Sequence, residues 1–252
     1  LHGQALAAQC HALALPALEA VAARATQSRP DLGARRPAPG VAYMLACRAS
    51  LIADRDSLEA ALPAFENALR QVPTAGHEVE SSVLCLQSNA LLWHGRWAEA
   101  AQAAQAALRV ATRVRSVYLV AMSSALRAWA DWQLHGRPDA LDELEAATAW
   151  LDANDKRLFI ALNHGRLAQA QAERGQTAMA RRHAARALAR WRQGDPFGAP
   201  CAWRTLALLA WQEGRVSLAQ RRLARADAAA SARGARHEMD HNDRCRQRLQ
   251  QV

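Results

Sequence analysis

Lysine is almost missing from this 252-residue chain: Lys156 stands alone, and every other strongly basic side chain is arginine. With so little lysine there is no phosphate-binding loop ending in a Gly-Lys-Ser or Gly-Lys-Thr run, and no Gly-rich dinucleotide fingerprint is present either. Nucleotide hydrolysis within the chain is not expected on those grounds. Aromatic residues make up only 5% of the sequence, with two Tyr and three Phe. β-Branched residues are equally sparse, and no run alternates in the manner of a strand. The five cysteines, Cys10, Cys47, Cys85, Cys201 and Cys245, are widely separated and form no CxxC pair. An odd, scattered set argues against a disulfide framework or a zinc ribbon and fits buried thiols in a reducing, cytoplasmic compartment. Long apolar runs are also wanting. The uncharged stretch from Leu1 to Leu18 is interrupted by His2, Gln4, Gln9, His11 and Pro16. No basic segment precedes it, so neither a signal peptide nor a membrane span is expected.

What the chain does have is alanine and leucine in a repeat of about 40 residues. Its frame shows in Trp93-His94-Gly95-Arg96-Trp97-Ala98-Glu99-Ala100, in Glu173-Arg174-Gly175-Gln176-Thr177-Ala178-Met179-Ala180, and in Gln212-Glu213-Gly214-Arg215-Val216-Ser217-Leu218-Ala219. Gly95, Gly136, Gly175 and Gly214 are 41, 39 and 39 residues apart, and Asp56 stands 39 residues before Gly95. Each glycine separates two segments with helical periodicity. The second segment carries an alanine seam at i, i+4, i+7: Ala100, Ala104 and Ala107 in one unit, Ala180, Ala184 and Ala187 in another. Ala61, Phe65 and Ala68 hold the same places further upstream. The first segment has a small residue near its middle, namely Ala49, Ser88, Ala168 and Ala207 in successive good copies. Small residues let antiparallel helices approach closely, and larger ones fill the space against the next pair. The copy around Gly136 departs from this frame, with Trp129 at the small position and Leu141 for the first alanine of the seam.

This pattern resembles the tetratricopeptide repeat over roughly Val41 to Ala230, with a period longer than the standard ~34 residues. The resemblance implies an all-α fold, a right-handed α-α superhelix of about five to six helix hairpins. Stretched repeats of this kind are similar to those in the arms of large bacterial regulators, such as STAND-class ATPase activators and ATPase-coupled nucleotide cyclases. The expected organisation is a partial repeat and a Pro/Gly-rich loop over 1–40, a repeat array over 41–234 and a polar capping helix over 235–252. Leu1-His2-Gly3-Gln4 echoes Leu134-His135-Gly136-Arg137, so the chain is expected to be a segment of a longer protein. Gly3 to Gln27 reads as the remainder of an earlier unit, kinked at Pro16, and Ser28 to Gly40 as the longest loop.

By the family's pattern the first helix of each pair lines a concave groove. The resemblance places Tyr43, Cys85, Asn89, Trp93 and Gln133 on that face in the N-terminal half. Further along it places Gln169, Arg204, Trp211 and Gln212 there, with Ser82, Leu92, Leu134, Glu173 and Leu208 nearby. Aromatic anchors among amides suit recognition of a peptide or an extended segment; the alternative is that Trp93 and Trp211 pack between repeats. The Lys and Arg set with which chaperone-binding members clamp a C-terminal carboxylate is missing, which disfavours a chaperone-tail adaptor.

Charge is unevenly spread. Seven acids lie between Asp131 and Asp155 against Arg137 alone, whereas Lys156 to Val252 has nineteen basic residues and seven acids. Arg181, Arg182, Arg186 and Arg190 fall on one second helix and Arg221, Arg222 and Arg225 on the next. Such a face is either a solvated surface or a patch for an acidic protein or nucleic acid. Nucleic acid is disfavoured, because no aromatic residues are interleaved as a stacking platform. His237-Glu238-Met239-Asp240-His241 fits the HExxH form of zinc peptidases. Asp240 puts a charge where those enzymes keep an uncharged residue, no third ligand follows at the right spacing, and the flanks are Arg-rich. The match is read as coincidental, with no metal and no cofactor expected. His94 and His135, just ahead of turn glycines, fit helix C-termini. The chain is thus expected to bind rather than catalyse: a protein or peptide partner, or other domains of its parent chain. Sensing of a small effector by the groove is the alternative.

Overall fold

A computed structural model describes residues 18–20, 23, 39–155 and 159–250. Among the described residues every regular element is α-helical. The expected partial repeat from Gly3 to Gln27 falls almost wholly outside them, as does the stretch 28–38 of the expected loop. Pro39 and Gly40, assigned to that loop by sequence, instead open the first long helix. Proline is at home there, since the first turn has no internal partner for its missing N–H.

The chain forms two compact units, Leu1–Gly136 and Arg137–Val252. The division lies inside the expected 41–234 array, at the repeat around Gly136 that departs from the frame at Trp129 and Leu141. In the first unit the helices are α1 (Pro39–Arg55), α2 (Leu58–Arg70), α3 (Glu78–Trp93), α4 (Trp97–Arg113) and α5 (Val117–His135). Each packs on the next, and the odd-numbered helices α1, α3 and α5 also pack side by side. The second unit holds α6 (Pro138–Ala153), α7 (Ile160–Glu173), α8 (Thr177–Arg192), α9 (Ala199–Gln212), α10 (Val216–Arg233) and α11 (Arg236–Gln250). There too successive helices pack, and α7, α9 and α11 form the row of odd-numbered neighbours. Within each unit this is the connectivity of a helical solenoid.

The turn glycines explain the hairpins. Gly95, Gly175 and Gly214 have φ of +75°, +73° and +72°, the left-handed region open to glycine. The next residue's N–H then returns to a carbonyl five residues back: Arg96 to Leu91 at 3.0 Å, Gln176 to Gln171 at 2.8 Å and Arg215 to Ala210 at 2.9 Å. That bond caps carbonyls the helix end leaves open and reverses the chain. Asp56, in the same frame, has no positive φ; Ser57 caps the following helix instead, its hydroxyl accepting from Ala60 N at 3.2 Å.

The seams behave as the spacing predicts. Ala100, Ala104, Ala107, Ala180, Ala184 and Ala187 are fully buried, as are Ala49, Ser88, Ala168 and Ala207 opposite them. Where serine takes an interior place its hydroxyl is satisfied across the hairpin: Ser88 Oγ donates to Ala100 O at 2.8 Å and Ser81 Oγ to Ala107 O at 2.9 Å. His94 ends α3 and its Nε2 lies 2.8 Å from Ala53 O, tying one hairpin to the one before. In the second unit Gly198 permits the approach of α9 to α7, since a Cβ there would stand 2.0 Å from Ala161 O.

Candidate functional site

In the first unit the nominated residues are largely interior. Cys85 and Asn89 have no exposed surface and Trp93 has 5%, so none of the three lines an open groove. Helix α3 packs against α1, α2, α4 and α5, which accounts for the interior position of these side chains. Tyr43, on α1, is half-buried and neighbours Cys47, Tyr118 and Cys85; burial first, then Cys47, push its phenol well above the ordinary tyrosine value. Burial likewise pushes the Cys47 and Cys85 thiols up to about 12. Gln133 is half-buried near the end of α5 and Leu134 is exposed. The four described cysteines are free and buried, as expected for those positions; Cys10 lies outside the described residues.

In the second unit more of the nominated face remains open. Gln169, Arg204, Leu208 and Trp211 are half-buried and Gln212 is exposed. Leu208 and Trp211 rest on the core cluster that contains Trp203, Ala207 and Leu223. Gln169 donates to Glu173 at 2.9 Å and lies 3.6 Å from Cys201 Sγ, so α7 and α9 meet beside it.

Arg204, one turn before Leu208 on α9, enters a buried polar junction with α11. Its guanidinium pairs with Glu238 and donates to Asn242 Oδ1 at 2.9 Å. Asn242 in turn donates to Asp227 at 2.9 Å. Burial opposes charge on Glu238, but Arg204, and next His237, outweigh it and hold the carboxyl at about 2. Helix α11 is not solvated all round: it buries His237, Glu238, Asn242, Cys245 and Leu249 on one face. Asp227 and Arg204 supply the partners that let so polar a face go inside. The same geometry engages the HExxH residues structurally: Glu238 is committed to Arg204, and the His237 and His241 rings are 6.4 Å apart. Among the described residues no group of three or more His, Cys, Asp and Glu is arranged to hold a metal ion.

A second interior pair has no motif in the sequence. His164 on α7 and His183 on α8 are 2% and 1% exposed, with their Nδ1 atoms 3.2 Å apart. One Nδ1 must donate and the other accept, so the neutral rings carry opposite tautomers. Their Nε2 atoms face Asp152 and Glu145 of α6, each at 3.7 Å. Burial, and then His183, push His164 down to about 4 against the opposing pull of Asp152. His183 is lowered too, chiefly by burial.

The basic residues divide into separate groups. Arg190 turns to Asp152 and Asp155. Arg182, Arg186 and Arg221 are exposed and make no ion pair among the described residues. Arg181, Arg222 and Arg225 come together with two residues the sequence reading passed over, Glu213 and Arg215. Arg181 pairs with Glu213, and Arg215 lies 3.6 Å from the same carboxylate. Arg222 donates to Leu206 O at 2.8 Å, and Arg225 stacks over the Trp203 ring at 4.9 Å. Glu213 and Arg215 flank the turn glycine Gly214, and that adjacency was the available signal. No helix among the described residues is long and apolar enough to cross a membrane. No protein-family model and no curated protein matches the chain.

Proposed function

We propose that the chain is a protein-interaction or regulatory arm of a larger protein, and that the second unit takes an extended peptide along α7 and α9. The observation that carries this reading is the strip formed by Leu208 and Trp211, which rest on the core yet keep part of their surface open. They stand three residues apart on α9, and the exposed Gln212 and half-buried Gln169 border them with amide donors and acceptors. An aromatic and an aliphatic side chain backed by a packed core form a rigid anchor site, and flanking amides pair with a peptide backbone. The regular hairpins suit this role, because each repeat presents one helix to the same surface.

Selection of random displayed peptides against the full chain tests the proposal. Enriched peptides should contain an apolar anchor and lose at least about tenfold in affinity on Trp211→Ala, in a variant whose helical circular dichroism and melting are unchanged. Peptides that bind wild type and variant equally overturn the reading.

A further inference from the structure

The arginine cluster beside the Gly214 turn is a separate surface. Arg181 and Arg215 converge on the carboxylate of Glu213, and Arg222, whose charge Glu213 favours, stands within the field of Arg181, Arg215 and Arg225. The side chains of Arg181, Arg215 and Glu213 are 44%, 61% and 34% exposed, so solvent and solutes reach them. Helices α8 and α10, which carry Arg181, Arg222 and Arg225, hold nine arginines between them and one acid, Asp227. Asp227 is engaged with Asn242 and Arg246. Glu213 is therefore the one counter-charge within the cluster, and positive charge is left over.

The crowding is visible at Arg222. Its burial, then Arg181 and Arg215, all disfavour its charged form, and Glu213 is the neighbour that favours it. An added anion would be stabilised by the same field. The chemistry of that anion follows from the group already held there. Planar guanidinium forks match a carboxylate in two-point fashion, and here two of them converge on one. A nucleic-acid strand would want an open ring to stack its bases on. The ring within the cluster, Trp203, is 9% exposed and lies under Arg225, while the exposed Trp191 stands ten residues along α8 from Arg181.

We propose that Arg181, Arg215, Arg222 and Arg225 form a docking surface for an acidic segment of a partner protein, with Glu213 as the built-in carboxylate that an incoming one displaces. Glu213 acts as an internal competitor. It keeps the guanidiniums ordered while the surface is empty and gives them up to a segment carrying several carboxylates. This surface uses different side chains from the Leu208 and Trp211 strip and stands independently of it.

The test is fluorescence anisotropy with the full chain and two labelled probes of equal net charge, an oligoglutamate peptide and an oligothymidylate. The peptide should bind, and Arg181→Ala/Arg215→Ala should weaken it by at least about tenfold, the loss of two charge-assisted contacts. A charge-matched pair in the first unit, Arg70→Ala/Arg109→Ala, should change the affinity less than about twofold. Glu213→Gln should tighten binding about three- to tenfold, since it removes the competing charge. Trp211→Ala should leave the peptide affinity unchanged. The inference is overturned if the peptide does not bind, if Glu213→Gln weakens or fails to change its binding, if the first-unit variant weakens it as much as the cluster variant, or if the oligothymidylate binds as tightly as the peptide.

Discussion

Acid should loosen the second unit through its buried histidines. His164 titrates near 6.5 when unfolded and near 4 when folded, so between these values the unfolded chain binds more protons than the native one. Stability then rises with pH across this window and is lost as pH falls. Below the unfolded value each pH unit removes about 1.4 kcal/mol until the folded value is reached. From pH 7 to pH 5 the sum is about 2 kcal/mol from His164 alone, and the lowered His183 adds in the same direction. The groups facing the pair are Glu145 and Asp152 from α6 and Arg182 and Arg186 from α8. The depressed Glu238 carboxyl contributes its own loss mainly below its unfolded value of 4.5, under the pH 5 end of the comparison. Urea unfolding followed by circular dichroism at pH 7 and pH 5 measures the change, and imidazole C–H chemical shifts report the titration of His164 directly. His164→Gln/His183→Gln should remove most of the slope, because glutamine keeps a polar head group and binds no proton. The reasoning is refuted if wild-type stability changes by less than about 0.5 kcal/mol between the two pH values, well under the linkage expectation, or if the double variant keeps the slope.

Breaking the Arg204–Glu238 pair should cost much more than an exposed pair would. Glu238→Ala leaves a buried guanidinium without its carboxylate and should lower unfolding stability by about 3–5 kcal/mol, read from the urea midpoint, while Glu238→Gln, whose amide oxygen still accepts from Arg204, should lose distinctly less. At the hairpin turns, Gly175→Ala and Gly214→Ala meet no atom within 4 Å, so their cost is backbone strain alone. Each should destabilise by about 1–2 kcal/mol, and thermal melts that show no change would mean that these turns relax out of the left-handed region.

How much of this was legible in the sequence differs from one feature to the next. The hairpins were legible, because turn glycines and alanine seams are local rules: a positive φ selects glycine wherever it occurs, and a helix face that must approach another closely selects small side chains at fixed spacing. Ala104 and Ala184 could be placed in the interior from their position in the repeat alone. The groove was legible only in part. The repeat frame put Cys85, Asn89 and Trp93 on a groove face, but the folded chain buries them, while Trp211, in the same frame, stays partly open. Nothing in the order of residues distinguishes the two cases, since the difference lies in how closely neighbouring helices approach.

The sequence by itself determined the helical class, the period, the hairpin turns and the seams, since each rests on contacts between residues close along the chain. Tertiary structure alone decided which polar side chains meet. Arg204 and Glu238 are 34 residues apart, His164 and His183 are 19 apart, and Arg181 and Glu213 are 32 apart. Charge and hydrogen bonding act over a few ångströms in space regardless of chain separation. A tally of arginines therefore announces a basic surface, but only the folded chain shows that Arg190 is already paired, that α11 buries the glutamate of its HExxH run, and that two guanidiniums, those of Arg181 and Arg215, converge on the one carboxylate of Glu213.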